Sequence, residues 1–224
     1  MGDQSFVSNA TRDRLRGYAV PFATALGRLG LTPSALTVIG FLGTCAAAAA
    51  AGAQAWLAAG VLVVVFGIFD MFDGALARAT GRVSQFGAFL DSTLDRTGEN
   101  LVLGGIAVGC AAAGFIPGTI LAVLAVAFAS AVTYTRAKAE SLGVKGDVGI
   151  APRPERLVIT ALGLALAGLL GGVGEAGGGP SGTWLGGTIW LAAGLALVAL
   201  LSAITVVQRI ITVRRQLDGT RPPR

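Results

Sequence analysis

Four aspartates, Asp70, Asp73, Asp91 and Asp95, fall within FDMFDGALARATGRVSQFGAFLDSTLDR (69–96), a stretch flanked on both sides by apolar sequence. At about 100° per helical residue, Asp70, Asp73, Gly74, Ala77 and Arg78 share one face. Ser84, Gly87, Asp91 and Asp95 share another. The connection Thr80–Val83 is short, which predicts antiparallel neighbouring helices whose acidic faces meet. Gly74, Ala77 and Gly87 leave room for a ligand to approach the backbone closely. Carboxylates so placed repel one another and resist ionising unless cations neutralise them. Two divalent ions bridged by a carboxylate would suit. The chain has 0 histidines, so ligands and any general base come mostly from carboxylates, which favours Mg²⁺ or Mn²⁺ over zinc. Two other readings use the same acids. One is a salt-bridge network with Arg78, Arg82 and Arg96, which gives no reason for small residues in register with the acids. The other is an ion pathway such as a divalent-cation transporter, against which no matching acid continues at mid-depth in the later apolar runs.

The elements that must hold these residues are membrane helices. Of the 224 residues 54% are hydrophobic and 13% charged, about half the charge usual in a soluble domain. Six apolar runs, at 33–53, 55–75, 86–113, 116–138, 155–174 and 186–211, are each long enough to suggest a span of about 20 residues. The polar opening MGDQSFVSNATRDRLRG has no apolar core of a cleavable signal peptide. All 17 Lys and Arg lie in one set of connections, in the termini, or on helix ends beside them. The other set carries only Glu175. Both termini and the acidic site are therefore expected on the cytoplasmic side of a multi-pass plasma-membrane protein. Before the first run, Leu15, Tyr18, Phe22, Leu26 and Leu29 recur at helical spacing among Arg12, Arg14, Arg16 and Arg28. That pattern predicts an amphipathic helix on the cytoplasmic leaflet. The expected fold is all-α: a juxtamembrane helix (1–30), a six-helix membrane domain (31–213) and a basic tail (214–224). Cys45 and Cys110 lie in apolar runs and read as small hydrophobes. Gly105 and Gly109 form a GxxxG pair, used for packing within the chain or across a homodimer.

The pattern Asp70-x2-Asp73-Gly74-x2-Ala77-Arg78-x8-Gly87-x3-Asp91-x3-Asp95 resembles the signature of the CDP-alcohol phosphotransferase family at every position. The resemblance implies six transmembrane helices with a cytoplasmic amphipathic helix. It also implies an enzyme that displaces CMP from a CDP-linked lipid or alcohol. By position, Asp70, Asp73, Asp91 and Asp95 would hold two metal ions, with Asp95 also the general base. Gly74, Ala77, Arg78 and Ser84 would contact the nucleotide end of CDP-diacylglycerol, as would Pro33, Ser34, Ala35 and Leu36 of LTPSALT. There Ser34 stands where many members carry Asn.

The acceptor is read from charge farther along. Lys138, Arg153, Arg156 and Arg209 lie at the cytoplasmic ends of the last three runs, and arginine forks match phosphate oxygens. SAVTYTRAKAESLG (130–143), GIAPRPERL (149–157) and VVQRIITVRRQ (206–216) are also similar to the actinobacterial phosphatidylinositol-phosphate synthase subgroup. That similarity implies inositol phosphate as acceptor, bound at Ser130, Lys138, Arg153, Arg156 and Arg209. Glycerol 3-phosphate, the acceptor of a phosphatidylglycerophosphate synthase, is the alternative. The lipid bilayer is the expected surroundings, and no nucleic-acid partner is expected.

Overall fold

The computed structural model describes residues 31–150, 152–174 and 186–219, without the side chains of Asp70 and Met71. The expected amphipathic helix over 1–30, Glu175 and the last five residues lie outside the described residues. Six helices account for nearly all the rest: α1 Pro33–Gly52, α2 Trp56–Ala79, α3 Gln85–Ala112, α4 Ile116–Ser141, α5 Arg153–Leu169 and α6 Gly187–Gly219. Their starts are written in local chemistry. Thr32 caps α1, its Oγ1 accepting from the Ala35 N–H at 3.2 Å, with Pro33 in the first turn. Ser84 caps α3 by accepting from Gly87 N–H at 3.0 Å. Between α2 and α3, Gly81 adopts φ +65°, a conformation open to glycine without a Cβ penalty.

Among the described residues α1, α2, α4 and α6 are long and apolar enough to cross a membrane. The helix α3 is longer than α1 but opens with Asp91, Asp95, Arg96 and Glu99, and α5 has 17 residues. Leu42, Val61, Val64, Val108, Val123 and Leu200 face outward, the arrangement lipid rather than water accommodates. The tail does not begin where the apolar run ends, because α6 continues through Arg214 and Arg215.

The extensive helix contacts run α1–α2, α2–α5, α5–α6, α6–α4, α4–α3 and α3–α1, closing a ring of six. The expected α2–α3 neighbour pair is not among them. Instead α1 packs against both, and the acidic helices face each other across a gap. A close α1–α3 approach makes this possible. A Cβ on Gly105 would stand 2.2 Å from the Ala48 carbonyl oxygen, and one on Gly109 2.2 Å from that of Ala51. The GxxxG pair thus packs helices within one chain. At the other end Leu36 is buried against Ala75 and Leu76, which pins the first turn of α1 beside the carboxylates of α2.

Candidate active site

Asp73 stands on the inner face of α2 and is 6% exposed. The hydroxyl of Thr37, one turn into α1, donates to Asp73 Oδ2 at 2.7 Å. The Gly74 N–H donates to Oδ1 of the same carboxylate. The two bonds fix the orientation of the carboxylate. Arg78 folds back along the helix, so that a Cβ on Gly74 would lie 3.3 Å from Arg78 Nη1. Gly74, Ala77 and Arg78 therefore form one strip on the C-terminal end of α2. Ser84 sits across the turn as the cap of α3, and Pro33, Ser34 and Ala35 form the first turn of α1. That turn presents helix N-terminal amides, the usual partner of a phosphate.

On α3, Asp91 and Asp95 are half-buried one turn apart. Asp95 reaches across to another helix. It pairs with Arg153 at the start of α5, whose Nη1 donates to Oδ2, with Nη2 3.5 Å from the Asp95 carbonyl oxygen. One turn deeper, Arg156 grips Glu99 with Nε to Oε1 at 2.7 Å and Nη2 to Oε2 at 2.8 Å. Two ion pairs thus stack as rungs between α3 and α5. The outer is partly open, while Arg156 of the inner is 3% exposed.

A cavity of about 50 Å³ lies between α1, α2, α3 and α5. Thr37, Asp95, Glu99 and Arg153 line its polar part, and Phe66 and Leu157 belong to its apolar part. The remaining predicted acceptor residues lie beyond it. Ser130 donates to Asn100 Oδ1 at 3.2 Å. Arg209, 6% exposed, donates Nε to the Val148 carbonyl at 2.8 Å and Nη1 to that of Val132. Together with Lys138 it lines a separate open groove between α4 and α6. The predicted arginines are therefore divided: Arg153 lines the cavity, Arg156 is held by Glu99 of the cavity wall, and Arg209 lies in the groove.

Thr37, Glu99 and Asn100 are the residues that motif spacing missed. Glu99 carried a signal, since it continues the i, i+4 series of Asp91 and Asp95 on one face. Thr37 carried none beyond standing one turn after Pro33.

The chemistry of the donors fits hard divalent ions. Asp73, Asp91 and Asp95 offer oxygen only, and glycine and alanine beside them leave space. Among the described side chains no three acids, cysteines or histidines form a ready-made cluster; the side chain of Asp70, the fourth acid, is outside that description.

Comparison with known proteins bears on this arrangement. The family profile of CDP-alcohol phosphatidyltransferase matches residues 30–200. A phosphatidylinositol phosphate synthase of Cutibacterium acnes is 41% identical over 201 residues, covering 89% of this chain and 93% of that protein. The phosphatidylinositol phosphate synthase of Mycobacterium tuberculosis in complex with manganese and citrate superposes with a TM-score of 0.75. It is 34% identical, with 87% of this chain and 88% of that one covered. Its structure with CDP-DAG bound gives 0.75 at 33% identity, covering 87% and 92%.

Proposed function

The chain belongs to the CDP-alcohol phosphatidyltransferase family, and from that premise we propose that it joins CDP-diacylglycerol to inositol phosphate. The products are phosphatidylinositol phosphate and CMP. The observation that carries this reading is the meeting of Asp95 with Arg153 on the wall of one cavity. A carboxylate able to take a proton stands beside a cation able to hold a phosphorylated acceptor.

In this reading the donor's acyl chains stay in the bilayer while its pyrophosphate enters from the cytoplasmic side. The strip Gly74, Ala77 and Arg78, with Ser84 and the first turn of α1 (Pro33, Ser34, Ala35, Leu36), binds the nucleotide end. Two divalent ions, Mg²⁺ or Mn²⁺, when held by Asp70, Asp73, Asp91 and Asp95, supply charge neutralisation for the pyrophosphate and the departing CMP. Thr37 and the Gly74 N–H fix the orientation of Asp73. Asp95 accepts the proton of the acceptor hydroxyl at a carboxylate oxygen. The acceptor oxygen then bonds to the phosphorus that carries diacylglycerol, and the bond from that phosphorus to CMP breaks. The acceptor's phosphate rests at the basic end of the cavity against Arg153, with Arg156 one turn further along α5, while Ser130, Lys138 and Arg209 extend the basic surface beyond the cavity. The apolar residues beneath the site, Phe66 and Leu157 among them, limit water on that side.

The same reading has α3 and α5 completing six spans, with both termini cytoplasmic in the plasma membrane. The clustering of Lys and Arg on one side supports that orientation. The test is CMP release by the purified protein with Mn²⁺, comparing inositol phosphate, glycerol 3-phosphate and free inositol. Preferential turnover of inositol phosphate is expected. Equal turnover of free inositol would remove the role given to the basic residues, and preference for glycerol 3-phosphate would replace the acceptor.

A further inference from the structure

The inner rung has no role in the chemistry above, yet it is the better-formed of the two. Arg156 is 3% exposed and Glu99 holds it with two hydrogen bonds of 2.7 and 2.8 Å. Burying such a pair is costly and gives little net stability over apolar packing, so its presence calls for a use. Its position supplies one. Arg156 is one turn from Arg153 on α5, and Glu99 is one turn from Asp95 on α3. The Arg156 backbone is also tied down from below, because its carbonyl accepts from Thr160 Oγ1 at 2.8 Å. Helices α3 and α5 are not among the extensively packed pairs; the cavity lies between them. Side chains reaching across that gap therefore set the spacing of the two helix ends.

We propose that Glu99 is a positioning residue for the acceptor: by holding the Nε–Nη2 edge of Arg156 with both carboxylate oxygens it fixes the first turn of α5 and so the place of Arg153. On this view Arg156 acts through α5 rather than as a ligand of the acceptor's phosphate: Glu99 holds its Nε–Nη2 edge, and the side chain is 3% exposed. Phosphate recognition falls to Arg153 in the outer, more open rung. The inference deepens the reading of the site as one that takes a phosphorylated acceptor, and rests on it.

The two roles for Arg156 predict opposite signs. If Arg156 were a latent phosphate ligand, removing the charge of Glu99 would free its fork and lower the acceptor's KM. If Glu99 positions α5, the same change raises that KM. The experiment is steady-state CMP release by full-length Glu99→Gln in neutral-lipid nanodiscs with Mn²⁺, varying inositol phosphate and CDP-diacylglycerol separately. We expect a rise of about tenfold in KM for inositol phosphate, with a much smaller change in KM for CDP-diacylglycerol. Glu99→Asp, which keeps the charge one methylene short, should recover part of the loss. Adding Arg156→Gln to Glu99→Gln should raise KM little further, because the two residues act as a unit. An unchanged or lowered KM in Glu99→Gln would overturn the proposal, as would fully additive effects. If Glu99→Gln does not fold, Glu99→Asp decides alone, a wild-type KM counting against the proposal and an intermediate rise for it. A wild type that uses glycerol 3-phosphate instead would overturn the acceptor assignment, and the sign of the Glu99→Gln effect would then be read on that acceptor's KM.

Discussion

At the residue scale, the two aspartates with described partners divide the labour. Asp73 is buried and held by Thr37 and its own helix amide, which fixes its orientation. Asp95 is half-buried and pairs with a partly exposed arginine at the cavity, a setting in which an incoming phosphate could take over the arginine. Asp95→Asn should fold normally and lose about 10²–10⁴-fold in kcat; stopped-flow or endpoint CMP assays check it, and substantial residual turnover would remove Asp95 as the base. Thr37→Val keeps the shape and deletes the donor to Asp73. It should weaken Mn²⁺ binding about tenfold or more, measured by calorimetry on the purified protein without substrate. The aspartates were legible because their spacing is a helical-face pattern that one stretch of sequence contains. Thr37 and Glu99 were not, because each acquires meaning from a partner at least 36 residues away in the chain.

At the element scale, the apolar runs anticipated the helices to within a few residues at most ends, since a run long enough to cross lipid is itself the signal. The misjudged feature was adjacency. A short connection between α2 and α3 suggested that they pack together, whereas α1 lies against both and holds them apart at the cavity. Glycine explains why α1 can do so. Gly105 meets the Ala48 carbonyl, while a Cβ on its neighbour Gly104 would meet nothing within 4 Å. Gly105→Ala should therefore destabilise the fold by about 1–3 kcal/mol, and Gly104→Ala should leave it as stable or slightly more so. Thermal unfolding of the two variants in detergent checks this contrast. Equal effects would mean that the α1–α3 contact is not what these glycines serve.

At the scale of the whole molecule, charge and chemistry share one end. The ring of helices places its carboxylates and its arginines at the end where every positively charged connection lies. In a cysteine-free background, Ala53→Cys in the α1–α2 turn should react with an impermeant thiol reagent added to intact cells. Leu142→Cys, after α4, should react only once the membrane is opened. The reverse pattern would invert the proposed orientation. The distribution of Lys and Arg in the sequence is what raises this expectation of sidedness, whereas the division of the basic residues between a cavity and a groove depends on how six helices close into a ring. The central claim is that the acidic and basic walls of one cavity perform a phosphatidyl transfer to a phosphorylated acceptor. Its most direct test is CMP released from CDP-diacylglycerol by the purified protein. Release that requires Mn²⁺ or Mg²⁺ together with inositol phosphate, and falls to background with EDTA or in Asp95→Asn, is the predicted result. No release with any acceptor in the presence of either ion would contradict it.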